Sequence, residues 1–121
     1  MAKILLVDDT ETSRARAARI LSVEGFTVVE AENGVRAVEL FQTERPDLVL
    51  LDISMPEKDG VTALREIRAA DPSAKVIMLS APGQEPAVLE AIRAGAKDYI
   101  VKPVEKDRLL TAVRKLLGLA S

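Results

Sequence analysis

Three apolar runs of this chain end in charge, and those ends hold the residue types best suited to chemistry. Ile4-Leu5-Leu6-Val7 ends at Asp8-Asp9, Leu48-Val49-Leu50-Leu51 at Asp52, and Tyr99-Ile100-Val101 at Lys102-Pro103. If the runs are neighbouring parallel strands, three carboxylates and one ammonium meet in one crevice. Acids gathered in this way need a cation. An all-oxygen donor set suits Mg2+, which takes one or two carboxylates and keeps several waters. Asp9 and Asp52 are placed to ligate directly, Asp8 through water, and the backbone carbonyl of Ser54 lies just past Asp52. Metal, carboxylate and ammonium together suggest phosphoryl transfer, in which a carboxylate can be the nucleophile. Asp52 is favoured for that role because it stands alone on its strand, whereas Asp8 and Asp9 are paired. Lys102 would pair with the acids at rest and then hold a phosphoryl oxygen. Its bond to Pro103 is of the kind that can be cis. Ser80, after Met78-Leu79, adds a hydroxyl at a fourth strand end.

Each of these residues also has a plainer reading. Acids favour a helix N-terminus, and a strand-end Asp is often a turn residue. A Lys is usually solvated, and a Ser before a helix usually caps it. It is their coincidence at successive strand ends that favours the functional reading.

The elements that must position these residues follow from hydrophobic periodicity. Strands are expected at Ile4 to Val7, Phe26 to Glu30, Leu48 to Leu51, Val76 to Leu79 and Tyr99 to Val101. The first helix is expected over Arg14 to Glu24, with Ala17, Ile20 and Leu21 inward and Gly25 closing it. The second runs from Asn33 to about Glu44, with Val35, Val38 and Phe41 inward, and stops before Pro46. Val61, Leu64 and Ile67 mark the third, and Gln84 to Ala94 the fourth. Leu109, Leu110, Val113, Leu116 and Leu117 mark the last. Ile53 to Gly60, with Pro56 and Asp59-Gly60, reads as loop. Strands alternating with helices imply a parallel sheet covered on both faces, an α/β fold. The uniformly apolar strands belong at its centre, while Thr27 and Glu30 suit an edge. In such sheets the site lies beyond the carboxyl ends of the strands.

Composition narrows the function classes. The chain has 121 residues, the size of one domain, and residues 1–121 are expected to form one. Its 19 acids against 17 bases suggest neither nucleic-acid nor membrane-surface binding. With no Cys there is no thiolate site, and with no His the commonest general base is absent. Met1-Ala2-Lys3 before a short apolar run does not read as a signal peptide, and no run is long enough to span a membrane. A cytoplasmic location is expected.

With these residues in order, the chain resembles the receiver domain of bacterial two-component response regulators. The resemblance rests on Ile4 to Asp9, Leu51-Asp52-Ile53-Ser54-Met55-Pro56 with Asp59-Gly60, and Leu79-Ser80-Ala81. Ala94-Gly95-Ala96-Lys97-Asp98-Tyr99 and Val101-Lys102-Pro103 complete it, in order along the whole chain. Ser80 to Gln84 and Glu90 to Asp98 look most like the single-domain chemotaxis regulators. The resemblance implies a doubly wound (βα)5 fold with the flavodoxin-like strand order 2-1-3-4-5. It implies that Asp52 accepts phosphate from a phosphohistidine on a histidine kinase or phosphotransfer protein. It assigns Mg2+, with Mn2+ as a substitute, to Asp8, Asp9, Asp52 and the Ser54 carbonyl. Lys102 would pair with the phosphoryl group, and Ser80 would move to bond it. Tyr99 would be the switch aromatic that turns inward, against the plainer reading of a strand Tyr with its hydroxyl in water.

Output is expected on the fourth helix, fifth strand and fifth helix, roughly Gln84 to Leu117. Glu85, Arg93, Lys97, Lys106, Arg108 and Arg114 would lie on or near that face. The implied target is a protein such as a flagellar switch component, met by a monomer. Ser80 replaces the commoner Thr, and Pro82 stands where some chemotaxis members carry a carboxylate. Pro82 is expected to restrict the switch. The same resemblance allows a phosphorelay shuttle or a receiver from a transcription factor. A haloacid-dehalogenase-type phosphatase needs a second Asp where Ser54 stands, and a flavodoxin needs a phosphate loop where Asp8-Asp9-Thr10-Glu11 would repel phosphate. The expectation is a switch that assists its own modification, not an enzyme with a separate substrate.

Overall fold

A computed structural model describes residues 2–119. Five strands and five helices alternate: β1 Lys3–Val7, α1 Glu11–Val23, β2 Thr27–Ala31, α2 Gly34–Glu44 and β3 Leu48–Asp52, then α3 Gly60–Ala70, β4 Val76–Ser80, α4 Glu85–Arg93, β5 Asp98–Val101 and α5 Lys106–Leu117. The strands form one parallel sheet in the order β2-β1-β3-β4-β5, as expected. Parallel neighbours need crossover helices, which is why each strand is followed by one.

Alternation along the central strands builds two cores. Leu5, Val7, Val49, Leu51, Val76 and Met78 point to one side, where α2, α3 and α4 cover them. Ile4, Leu6, Leu48, Leu50, Ile77 and Leu79 point to the other, under α1 and α5. Every residue of β3 and β4 is buried, which explains their unbroken apolar runs. The outer strand β2 is more exposed, with Thr27 and Glu30 open to solvent and Val28 and Val29 half-buried.

The structure differs from the sequence reading in local ways. α1 starts at Glu11 rather than Arg14: Thr10 is its N-cap, and the Arg14 N–H donates to the Thr10 carbonyl at 2.9 Å. Glu11, Thr12 and Ser13 carry no apolar signal, so periodicity misses this turn. Phe26 precedes β2 and packs under α1 and α5. Val35, expected inward, is exposed, and α2 instead buries Ala37, Leu40 and Phe41. Asn33 caps that helix by accepting from the Arg36 N–H at 2.8 Å.

One close approach sets the end of β3. A Cβ on Gly60 would lie 2.1 Å from the Asp52 carbonyl oxygen, so only glycine lets α3 begin there. The Gly60 N–H donates to the Ile53 carbonyl at 2.7 Å, folding residues 53–60 back against the strand end.

A candidate phosphoryl and metal site at the strand ends

β1, β3, β4 and β5 deliver Asp8 and Asp9, Asp52, Ser80 and Lys102 to the same edge of the sheet. One oxygen from each of Asp8, Asp9 and Asp52 lies within 4.8 Å of the others. Asp8 and Asp52 are buried and Asp9 is exposed, so the cluster opens to solvent on one side. Lys102 reaches across from β5. Its Nζ donates to Asp52 Oδ2 at 2.8 Å and lies 3.1 Å from Asp8 Oδ2.

The partners of the two buried acids differ. The Thr10 N–H donates to Asp8 Oδ1 at 2.9 Å. Asp8 Oδ2 is buried without a hydrogen-bond donor in line, and Lys102 neutralises it only by proximity. Burial works against the Asp8 charge, but the Ser13 hydroxyl, the Thr10 N–H and Lys102 outweigh it and hold the carboxyl below its ordinary range. Asp52 lacks such a set. Burial pushes it up to about 6, against the pull of Lys102 and helped by the Asp8 charge. Burial opposes the Lys102 charge too, yet Asp52 and Asp8 together raise its pKa.

These acids fit a hard divalent cation. The donors are all oxygen, one carboxylate oxygen is buried and unsatisfied, and a solvent-facing acid leaves room for water ligands. Ser54 is exposed two residues beyond Asp52. Ser80 is buried at the end of β4, and its carbonyl accepts from the Lys102 N–H at 2.7 Å, which ties the hydroxyl-bearing residue to the ammonium-bearing strand. The Lys102-Pro103 peptide is cis.

Tyr99 is brought no nearer the cluster. It is 43% exposed on β5, and Val101 of the same strand and Leu89 and Ile92 of α4 are exposed apolar groups as well. Of the charged residues expected around that face, Glu85, Arg93, Lys97, Lys106 and Arg108 are exposed. Arg108 is tied to the Tyr99 carbonyl at 2.7 Å and to Asp98. Arg114 is a correction: it is half-buried and ion-paired with Glu24 at the end of α1, so it faces the opposite neighbour.

Two residues near the site were not read from the sequence. Arg14 Nη1 donates to the Asp8 carbonyl at 2.7 Å while its Nε pairs with Glu30, bracing the backbone that carries Asp8. Gln84 spans from the loop after β4 to Ser54. Neither has a sequence signal, because both act by reaching residues remote in the chain or turned back by a loop.

The model of the response regulator receiver domain matches residues 4–114. The chain is 53% identical to the chemotaxis protein CheY of Bacillus subtilis, over 96% of this chain and 98% of that one. It is 45% identical to the chemotaxis protein CheY of Thermotoga maritima, over 94% and 96% of the two chains. Among solved structures, the receiver domain of NtrX from Brucella abortus superposes with a TM-score of 0.91 at 36% identity, covering 97% of this chain and 99% of that one.

Proposed function

The chain belongs to the response regulator receiver domain family, and from that premise we propose that it is a switch operated by phosphorylation of Asp52. The observation that carries this is the Lys102 ammonium from β5, held between Asp52 of β3 and Asp8 of β1. A cation that bridges two buried acids at rest is placed to meet the charge that phosphorylation adds.

The chemistry follows from unequal carboxylates. Asp52, pushed up to about 6, has the more basic oxygen, while Asp8 is held low and suits a charge-holding role. Asp52 attacks the phosphorus of a phosphohistidine, forming a P–O bond as the P–N bond breaks. The electron pair returns to the imidazole, which departs neutral by keeping its ring proton. The chain has no His, so the donor is a histidine kinase or phosphotransfer protein. Asp8, Asp9, Asp52 and the Ser54 carbonyl would hold Mg2+, or Mn2+ in its place, and the ion when bound neutralises the acids and the phosphoryl oxygens. Lys102 keeps its charge and shifts from the carboxylates towards the new phosphoryl oxygen. Ser80, at the end of β4, donates its hydroxyl to another. The phosphoryl group thus favours a state that the resting chain populates little.

Output through α4, β5 and α5 would follow, with Tyr99 turning inward and the apolar group around it changing shape. The names of the relatives, chemotaxis proteins, support chemotaxis-type output; the proposed target is a protein such as a flagellar switch component, met by a monomer in the cytoplasm. No described helix is long and apolar enough to cross a membrane. The chain promotes its own modification and turns over no separate substrate.

Incubation with Mg2+ and acetyl phosphate, followed by intact mass, tests the acceptor. We expect one labile phosphate adduct that requires Mg2+ and is lost in Asp52→Ala. An adduct that survives the substitution, or none in the parent chain, would sink the reading. Binding to a flagellar-switch peptide with and without beryllofluoride tests the output. Equal binding in both conditions would point to a relay shuttle instead.

A further inference from the structure

Gln84 stands outside the acidic cluster, yet its carboxamide joins the two loops that flank it. Its Oε1 accepts from the Ala81 N–H at 2.6 Å, and its Nε2 donates to Ser54 Oγ at 2.8 Å. β3 and β4 pair with Asp52 opposite Leu79. The Ile53 N–H donates to the Leu79 carbonyl at 3.0 Å. Ser54 and Ala81 are the residues two beyond that register pair on each strand, and the Gln84 carboxamide supplies the next cross-connection. Gln84 occupies the N-cap position of α4 but does not cap it, because its side chain is turned back onto the loop. The Gln84 N–H also donates to the Ala81 carbonyl at 3.3 Å, so residues 81–84 form a tight turn closed from both ends.

We propose that Gln84 is a latch that holds the loop after β4 in its resting position and must release when Asp52 is phosphorylated. It is a positioning residue: it acts through Ala81 and Ser54 and touches none of the reacting atoms. The inference rests on the acceptor role of Asp52. Ser80 directly precedes Ala81, so movement of the Ser80 hydroxyl towards Asp52 pulls the Ala81 N–H away from Oε1. A phosphoryl oxygen outcompetes the neutral carboxamide oxygen for the Ala81 N–H because its bonds are charge-assisted, and the Nε2 bond to Ser54 Oγ is lost as the loop moves. Until then the two latch bonds favour the resting state, and every ligand that selects the switched state binds against them.

Calorimetric titration with beryllofluoride in saturating Mg2+ tests this on the full chain. Gln84→Met keeps the side-chain length and removes both bonds; Gln84→Ala is the second variant if the first fails to fold. We expect either to bind beryllofluoride roughly 3- to 10-fold tighter, the range of one or two neutral hydrogen bonds. Mg2+ affinity without beryllofluoride should not change, whereas general loosening of the site would lower it. Ser54→Ala should give part of the same gain, and the double variant less than the sum. Unchanged or weaker beryllofluoride binding with Mg2+ affinity intact overturns the latch, as does a gain fully additive with Ser54→Ala. If parent and variants alike bind Mg2+ but no beryllofluoride, the acceptor role of Asp52 fails and the latch falls with it.

Discussion

At the scale of the residue, the site is a balance among three buried or half-buried charges. Asp52 is raised from 3.8 to about 6, so the folded chain binds its proton more tightly than the unfolded chain does. Stability from that proton is present below pH 4 and is lost as pH rises through about 6. In chelator, parent stability should therefore fall relative to Asp52→Asn by about 2–3 kcal/mol between pH 4 and 7, measured by urea unfolding at each pH. A constant difference across that window would contradict the assignment of burial as the main cause. Lys102→Ala removes the ammonium that offsets the burial of Asp8 and Asp52, 1% and 6% exposed, and so favours a protonated Asp52. It should cost about 3 kcal/mol at pH 7 without metal. Mg2+ should recover part of that loss and raise the melting temperature more in the variant than in the parent, because the competing ammonium is gone.

At the scale of the element, the strand ends are held by short, specific contacts. Gly60→Ala drives a Cβ into the Asp52 carbonyl and should destabilise the fold by roughly 3 kcal/mol or more, with loss of Mg2+ binding. Asn33→Ala removes one cap and should cost about 1 kcal/mol while leaving Mg2+ binding unchanged, since α2 carries no site residue. Pro82 is exposed in the turn that Gln84 closes. Pro82→Ala should speed phosphorylation by acetyl phosphate if that proline restricts the loop; identical kinetics in both proteins would remove it from the switch. The strands were legible because parallel central strands are apolar on both faces, as in Leu48 to Leu51. Helix phase was less so. Val35 is as apolar as Ala37, but Ala37 shares the buried face with Leu40 and Phe41 while Val35 lies off it.

At the scale of the molecule, the acidic strand ends were legible because topology puts them together and type betrays them. The sequence does not carry the tertiary pairings. Arg14 on Asp8 six residues back, and the long-range contacts of Gln84 on Ser54 and Arg114 on Glu24, are each choices of a flexible side chain. The last of these ties α5 to α1 on the sheet face opposite α4. The reassignment of Arg114 narrows the proposed output face to α4, β5 and the exposed side of α5, where Tyr99, Val101, Leu89 and Ile92 lack cover.

The placement of Lys102 on β5 has a consequence for synthesis. The chain leaves the ribosome with Asp8 and Asp52 well ahead of Lys102, the ammonium that bridges them. A sheet of β1, β2, β3 and β4 alone would hold these acids together without Lys102. Burying them there without Lys102 is costly, so dissolved cations or retained protons are expected to neutralise them until β5 docks. The final strand therefore completes the sheet and its charge balance in one event, and a fragment ending before residue 102 is frustrated at the edge where Lys102 would bridge Asp8 and Asp52.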